Sequence, residues 1–119
     1  MKNGNFSTEI TRETILKLCK KWERILKVKA NRIQIRKMKN KWGSCSSKGA
    51  LTLNEELMKL PLEYVEYVIV HELLHLIVPH HGRTFKTLLC AYLPEGDRLH
   101  EDLTARGKIF PGVFSPIPE

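Results

Sequence analysis

The stretch from Leu62 to Val78 is apolar on nearly every side, with Leu62, Val65, Val68, Ile69, Val70, Leu73, Leu74, Leu76 and Ile77 spread around a helical wheel. A helix of this kind has no face to offer water, so it belongs at the centre of a domain. At the usual rise per residue it spans about 25 Å, enough to cross a small domain. Pro61 suits its first turn, where a missing N–H costs nothing, and Pro79 disfavours helical geometry at Val78 and is expected to end it. Into the middle of this cylinder the sequence sets three ionisable side chains, His71, Glu72 and His75.

Those three form the pattern H-E-x-x-H. Histidines four residues apart lie one turn apart on the same face, close enough for both imidazoles to reach one zinc ion at about 2.0–2.1 Å. Glu72 is rotated by about 100° from His71, which sets its carboxylate beside a metal and lets it hold a water there rather than become a ligand. The division of labour has a chemical reason. Zinc lowers the pKa of a bound water toward about 7 and polarises a carbonyl, while the carboxylate takes the water's proton and later delivers it to the leaving group. With the five His and eleven Glu of this chain, the pattern arises by chance in only about two of a hundred such sequences. Burying all three groups without partners is costly, and one shared cation removes that cost.

A catalytic zinc usually takes three protein ligands and keeps one position open. His81 would point about 240° away from His75 on a continued helix, so it can ligate only if the chain turns back after Val78, which Pro79 permits. His80 competes with it, and so does a glutamate from a later helix, Glu95 or Glu101. Spacing does not separate them. The spacing of His71, His75 and His81 also matches peptidases with H-E-x-x-H-x-x-G-x-x-H, but these need a glycine where Val78 stands and a methionine downstream. Met1, Met38 and Met58 are all upstream, which disfavours that subclass.

The rest of the chain reads as small elements around the apolar helix. From a cap at Ser7 or Thr8, apolar residues at Ile15, Leu18, Cys19, Trp22, Ile25 and Leu26 predict an amphipathic helix. Ile33 and Ile35 alternate with Arg32, Gln34 and Arg36, predicting a half-buried strand that extends toward Trp42. Ala50 to Leu53 predicts a second strand, and the turn-rich residues from Gly43 to Gly49 between them suggest a hairpin with a wide loop. Asn54 is expected to cap a short helical turn before Pro61, and Gly82 to Leu93 reads as a further helix, with Phe85, Leu88, Leu89 and Tyr92 on one face. The expected fold is therefore α+β, one domain with a small antiparallel hairpin-based sheet on the H-E-x-x-H helix plus flanking helices.

Around Trp42 the sequence supports two readings. As a structural corner, Gly43 permits a tight turn, Ser44 and Ser46 bond to the backbone, and Cys45 packs under the helix. As a functional element, this loop and the strand from Ala50 form a cleft edge that pairs with an extended peptide, which makes Trp42, Ser44, Ala50 and Thr52 candidate substrate-binding residues. Arg98, His100 and Tyr92 are the candidates for stabilising a negatively charged oxygen.

Charge is split along the chain. Residues 1–48 carry fourteen Lys and Arg against three acids, +11, and residues 49–119 carry six against ten, −4. Lys27, Lys29, Arg32, Arg36, Lys37, Lys39 and Lys41 run without one acid, a pattern compatible with tracking phosphates, and Trp42 at its end is placed to stack on a base. Cys19, Cys45 and Cys90 are too scattered for a disulfide framework or a cysteine zinc site and are expected to be reduced thiols. No run approaches the roughly 20 apolar residues of a membrane span, and Met1 to Ile10 lacks a signal-peptide core, so the expectation is a soluble cytoplasmic protein with no membrane partner. The proline-rich stretch from Phe110 to Pro118 keeps bulky apolar residues and is expected to be extended and to dock.

The run Lys41-Trp-Gly-Ser-Cys-Ser46, then Gly49, Leu53-Asn54 and Pro61, and finally Tyr67-Val-Ile-Val-His-Glu-Leu-Leu-His75 with His81-x-x-x-Phe85, resembles the YgjP-like metallopeptidase family. It is similar also to the wider group of SprT-like and WLM zinc proteases. The resemblance implies a zincin-like domain over residues 1–106 and one zinc ion held by His71, His75 and His81, with Glu72 as the acid/base cleaving peptide bonds in a protein or peptide substrate. Longer YgjP-like proteins carry an N-terminal β-rich portion, so this chain looks like a minimal catalytic core. Residues 107–119 form an extension outside the family pattern, and Phe110, Val113 and Phe114 suggest that it lies across the cleft and restrains activity. SprT-like relatives degrade proteins attached to DNA, which fits the basic half. Two alternatives keep the metal: a zinc-dependent hydrolase of nucleotide phosphoanhydrides, and a noncatalytic nucleic-acid-binding module with a closed structural zinc site.

Overall fold

In the computed structural model, which describes residues 10–108 and Phe110, the apolar stretch forms helix α2, Leu62–Leu74. Its residues Tyr67 to Leu74 are all buried, because α1, β2, β3, α3 and α4 pack against it from different sides. In chain order the elements around it are α1 (Arg12–Leu26), β2 (Gly43–Cys45), β3 (Ala50–Asn54), α3 (Arg83–Tyr92) and α4 (Gly96–Thr104), with β1 (Arg32–Arg36) beside β3 and a 3-10 turn over Glu55–Lys59 before α2.

Helix α2 stops four residues earlier than the span to Val78 expected from the sequence. The N–H groups of Leu76 and Ile77 bond to the carbonyls of Leu73 and Leu74, three residues back, at 3.0 and 2.9 Å. This tighter winding satisfies the terminal carbonyls ahead of Pro79, which cannot continue the helix. Pro61 sits just outside the first turn, at the cap position itself. At the start of α1 the cap is Thr11, whose hydroxyl accepts from the Thr14 N–H at 3.1 Å; the expected start at Ser7 or Thr8 lies outside the described residues. One face of α1 buries Ile15, Cys19, Trp22 and Leu26, as the apolar spacing requires.

The sheet has the order β1-β3-β2 and is mixed rather than purely antiparallel. The hairpin exists, but it joins β2 to β3 through Ser46–Gly49, and β1 lies parallel to β3 on the other side. The buried Asn54 explains why β1 ends at Arg36 instead of running on to Trp42. Its side-chain amide donates to the carbonyls of Met38, at 2.9 Å, and Lys41, at 2.8 Å, so the backbone there is held as a crossover loop and not as a ladder. The same side chain accepts from the Glu56 N–H at 2.9 Å, making Asn54 the cap of the 3-10 turn as expected. The hairpin turn closes with Gly49 at a φ of 93°, a left-handed geometry in which glycine carries no steric penalty. Beyond α3, whose Phe85 and Leu89 face the core, α4 packs Leu99 and Leu103 against the central helix.

Candidate metal centre and its cleft

After α2 the chain reverses. Tight turns carry it past Pro79, and a bond of 2.9 Å from the Gly82 N–H to the His80 carbonyl completes the bend into α3. This brings His81 back over the helix, so that ligand atoms of His71, His75 and His81 all lie within 4.8 Å of one another. The ring centroids are 5.3 Å apart for His71 and His75, 4.9 Å for His71 and His81, and 4.4 Å for His75 and His81. Phe85 packs against all three rings at centroid distances of 4.7 to 5.0 Å. The competing ligands are elsewhere: His80 is exposed, Glu95 accepts from Arg98 Nε at 2.9 Å, and Glu101 lies on the cleft wall outside the cluster.

The chemistry of these side chains fits a cation. His75 Nδ1 is 3.1 Å from the Pro79 carbonyl, and a carbonyl only accepts, so Nδ1 carries the proton and Nε2 keeps its lone pair. That Nε2 is buried with no hydrogen-bond partner among the described residues. The same holds for His71 Nδ1 and both carboxylate oxygens of Glu72, although His71 Nδ1 and Glu72 Oε2 approach to 3.3 Å without hydrogen-bond alignment. Histidines satisfied by an ordinary core would be hydrogen-bonded; leaving so many buried polar atoms unpaired is costly unless a ligand engages them. Burial holds His71 well below the usual imidazole range and His75 at about 4, with neighbouring imidazoles adding to the effect. Both rings are therefore neutral and able to donate lone pairs. Burial also pushes the Glu72 carboxyl up to about 7, against the opposing pull of His75, His81 and Lys41.

Strand β2 forms one wall. Gly43 is not the pivot of a turn, as the sequence suggested, but a strand residue pressed against α2: a Cβ there would meet Val68 Cγ1 at 3.0 Å and Glu72 Cγ at 3.2 Å. Only a residue without a side chain lets the strand lie this close to Glu72. Ser44 stands opposite Thr52, flanked by bonds from Asn54 N–H to the Trp42 carbonyl and from Ser46 N–H to the Ala50 carbonyl, both 3.0 Å. Antiparallel alternation then turns the N–H and C=O groups of Gly43 and Cys45 outward, along an edge that no other strand among the described residues covers. Cys45 itself packs beneath the helix, where burial pushes its thiol up to about 12 with help from Glu72.

The other candidate substrate residues need correction. Ala50 and Thr52 lie on the central strand, paired with β1 on one side and β2 on the other, so they have no edge to offer a peptide. Trp42 is buried, and its indole Nε1 donates to the Leu103 carbonyl at 2.8 Å; it anchors the start of β2 to α4 and is not available to stack on a base. Ser44 is half-buried on the edge strand, beside the two outward-facing residues.

A cavity of about 740 Å³ adjoins the histidines, lined among others by Tyr67, His71, His81, His100, Glu101 and Phe110 and by no residue of β2. Tyr67 lies one turn before His71 on the same helix face, and its hydroxyl is 2.7 Å from His100 Nδ1. Burial lowers the pKa of His100, partly offset by Asp97 and Glu101. The ring of Phe110 lies 4.5 Å from that of His71, 5.1 Å from His100 and 5.5 Å from Tyr67. Tyr67 was missed as a site residue although the i, i+4, i+8 series Tyr67, His71, His75 was present to be read. Arg98 forms surface bonds with Glu63, Glu95 and Asp102, and Tyr92 packs edge-on against Trp22, so neither of these expected oxyanion partners lines the cavity.

A buried helix bearing two histidines and a carboxyl, with a third histidine folded back over it and an edge strand and a cavity beside them, is the arrangement of a metallopeptidase domain. The chain belongs to the YgjP-like family: the model of the YgjP-like metallopeptidase domain matches residues 3–106. The metallopeptidase zymogen of Pyrococcus abyssi abylysin is similar in structure, with a TM-score of 0.71 and 22% identity, covering 81% of this chain and 98% of that one. The metallopeptidase zymogen of Methanocaldococcus jannaschii jannalysin gives a TM-score of 0.69 and 24% identity, covering 87% and 98%. Both share the small α+β fold. No sequence among curated proteins matches the chain. Among the described residues, no helix is long and apolar enough to cross a membrane.

Proposed function

We propose that the chain hydrolyses peptide bonds, with one zinc ion held by His71, His75 and His81 and with Glu72 as the acid/base. The observation that carries this reading is the convergence of the three imidazoles within 4.8 Å beside a buried carboxyl whose two oxygens have no hydrogen-bond partner among the described residues. Bound there, zinc would supply Lewis acidity, polarising the substrate carbonyl and acidifying water. Glu72 then takes a proton from the attacking water and passes it to the departing amine. Burial disposes the Glu72 carboxyl to hold a proton more readily than an exposed one, which suits a group that takes a proton and gives it up again. The outward N–H and C=O groups of Gly43 and Cys45 support binding of an extended peptide as an added strand along β2. Among the described residues the cluster holds three histidines and no fourth protein ligand, which disfavours a closed structural site.

The extension from residue 107 restrains this activity. Support comes from Phe110, whose ring fills space against His71 and His100 that a substrate would need, and from the zymogen state of both structural neighbours. Val113 and Phe114 lie outside the described residues. The exposed side chains of Lys27, Lys29, Arg32, Arg36, Lys37, Lys39 and Lys41 favour protein substrates carried on nucleic acid, read as salt-dependent binding of DNA by the full chain.

The test is hydrolysis of unfolded protein by the zinc-loaded full chain and by its Phe110→Ala variant. Cleavage that is faster in Phe110→Ala and lost in Glu72→Gln is expected. Cleavage that survives Glu72→Gln, or no cleavage in either chain, overturns the reading. Nucleoside triphosphates serve as the control substrate, and their hydrolysis in place of protein would favour phosphoanhydride chemistry.

A further inference from the structure

We propose that His100 is a catalytic hydrogen-bond donor to the substrate's developing oxyanion, held by Tyr67 in the tautomer that carries its proton on Nε2. This rests on the peptidase reading above and assigns a residue to a step which that reading leaves open.

A hydrogen bond of 2.7 Å joins the Tyr67 hydroxyl and His100 Nδ1. Tyr67 is buried, with 1% of its surface exposed, and among the described residues this imidazole is the hydrogen-bond partner of its hydroxyl. If Nδ1 donated, the phenolic proton would have no acceptor among the described residues and would bear the penalty of an unmade bond. The phenol therefore donates, Nδ1 accepts, and in the neutral ring the proton sits on Nε2. A buried tyrosine of the central helix thus decides which nitrogen of a residue on α4 carries hydrogen.

Position gives that proton a use. The His100 ring lines the cavity that adjoins the histidine cluster, 5.9 Å from the ring of His71 and inclined to it by only 24°. Its protonated edge is the one not engaged by Tyr67. His100 faces the cluster from α4, while Glu72 and the free strand edge of Gly43 and Cys45 lie on the β2 side. A peptide lying along β2 with its carbonyl over the cluster would meet Glu72 from one side and the His100 N–H from the other. A preorganised donor aimed where negative charge develops acts more strongly in the transition state than in the ground state, so its removal lowers kcat by about 10²–10³-fold.

The experiment has two readouts, both on full-length protein carrying Phe110→Ala. Nitrogen-15 NMR of the metal-free protein should show His100 protonated at Nε2 and bare at Nδ1, and Tyr67→Phe should mix the two tautomers. In zinc-loaded protein, His100→Leu should lower kcat about 100-fold with KM within about twofold, zinc stoichiometry unchanged and Tm nearly so, and His100→Gln, which restores an N–H donor, should recover at least about tenfold of the loss. A His100 ring protonated at Nδ1, an unchanged kcat in His100→Leu, or a loss that appears wholly in KM would overturn the assignment. In each of these cases a parent chain that still depends on Glu72 leaves the peptidase reading standing. A parent chain with bound zinc and no hydrolysis would remove that reading and this inference with it.

Discussion

Gly43 and Glu72 are in contact across the cleft wall, and the space between strand and helix is too small for a methyl group: a Cβ on Gly43 would lie 3.2 Å from Glu72 Cγ and 3.0 Å from Val68 Cγ1. Gly43→Ala must therefore move either the strand or the carboxyl. Overpacking of this kind costs about 1–3 kcal/mol, and here the strain falls on the residue assigned to proton transfer. The expected result is a lower Tm together with a fall in kcat of at least about tenfold, with zinc content unchanged. Full activity in a well-folded Gly43→Ala protein would show that the strand need not lie against Glu72.

Metal binding should raise stability, because His71 Nδ1 and His75 Nε2 are buried with no hydrogen-bond partner among the described residues. Adding zinc to metal-free protein should raise Tm at a stoichiometry of one, and a hundredfold excess over Kd should stabilise the fold by about 2.7 kcal/mol. His75→Ala should abolish the shift. Glu72→Gln should keep it, since its carboxyl is not one of the three ligands. A zinc-dependent rise in Tm that persists in His75→Ala would place the metal elsewhere.

The cysteines give a separate prediction at alkaline pH. Burial pushes the thiols of Cys19 and Cys45 up from 9.0 to about 12, so the fold favours their protonated forms. The unfolded chain releases these protons from about pH 9, and stability that is intact below that pH is lost as pH rises toward 12. Urea titrations at pH 8 and pH 10 should show this loss, reduced in a Cys19→Ala, Cys45→Ala double variant. At pH 8 a thiol reagent should label Cys90 well before the two buried cysteines, and equal labelling of all three in native protein would contradict this.

Trp42 gives a test of structure against ligand binding. Trp42→Phe keeps a buried ring but removes the indole's bond to the Leu103 carbonyl, which still accepts from the Arg106 N–H at 3.1 Å, so the cost is that of one net hydrogen bond, about 0.5–1.5 kcal/mol. Chemical denaturation should report that loss, while DNA affinity stays unchanged. Weaker DNA binding by a stable Trp42→Phe protein would restore the stacking role that its burial argues against.

Much of the site was legible because its geometry is local. His71, Glu72 and His75 are fixed relative to each other by one helical turn, and Asn54 caps its 3-10 turn through a bond spanning two residues. The return of His81 was only permitted by Pro79, not dictated, since it depends on where the chain after α2 packs. The sheet was harder for the same reason. The alternation at Ile33 and Ile35 identifies a strand but not its partner, and the side chain that forces the crossover, Asn54, acts on carbonyls 13 and 16 residues away. Gly43 was assigned to a turn because glycine reads alike in a turn and in a close backbone approach; Val68 and Glu72, which decide between them, lie far along the chain. The Tyr67–His100 pair joins two helices 33 residues apart, beyond the reach of periodicity.

The middle strand of the sheet is the last of the three to be synthesised. Strands β2 and β3 are neighbours in the chain and can zip together through their own four-residue turn, whereas β1 must wait for β3 and close a much longer loop. Short-range pairing is thus expected to build the β2 wall of the proposed site first and to add the basic flank later. Amide exchange should accordingly find β1 opening more readily than the hairpin, so that loosening the cationic side leaves the hydrolytic side intact.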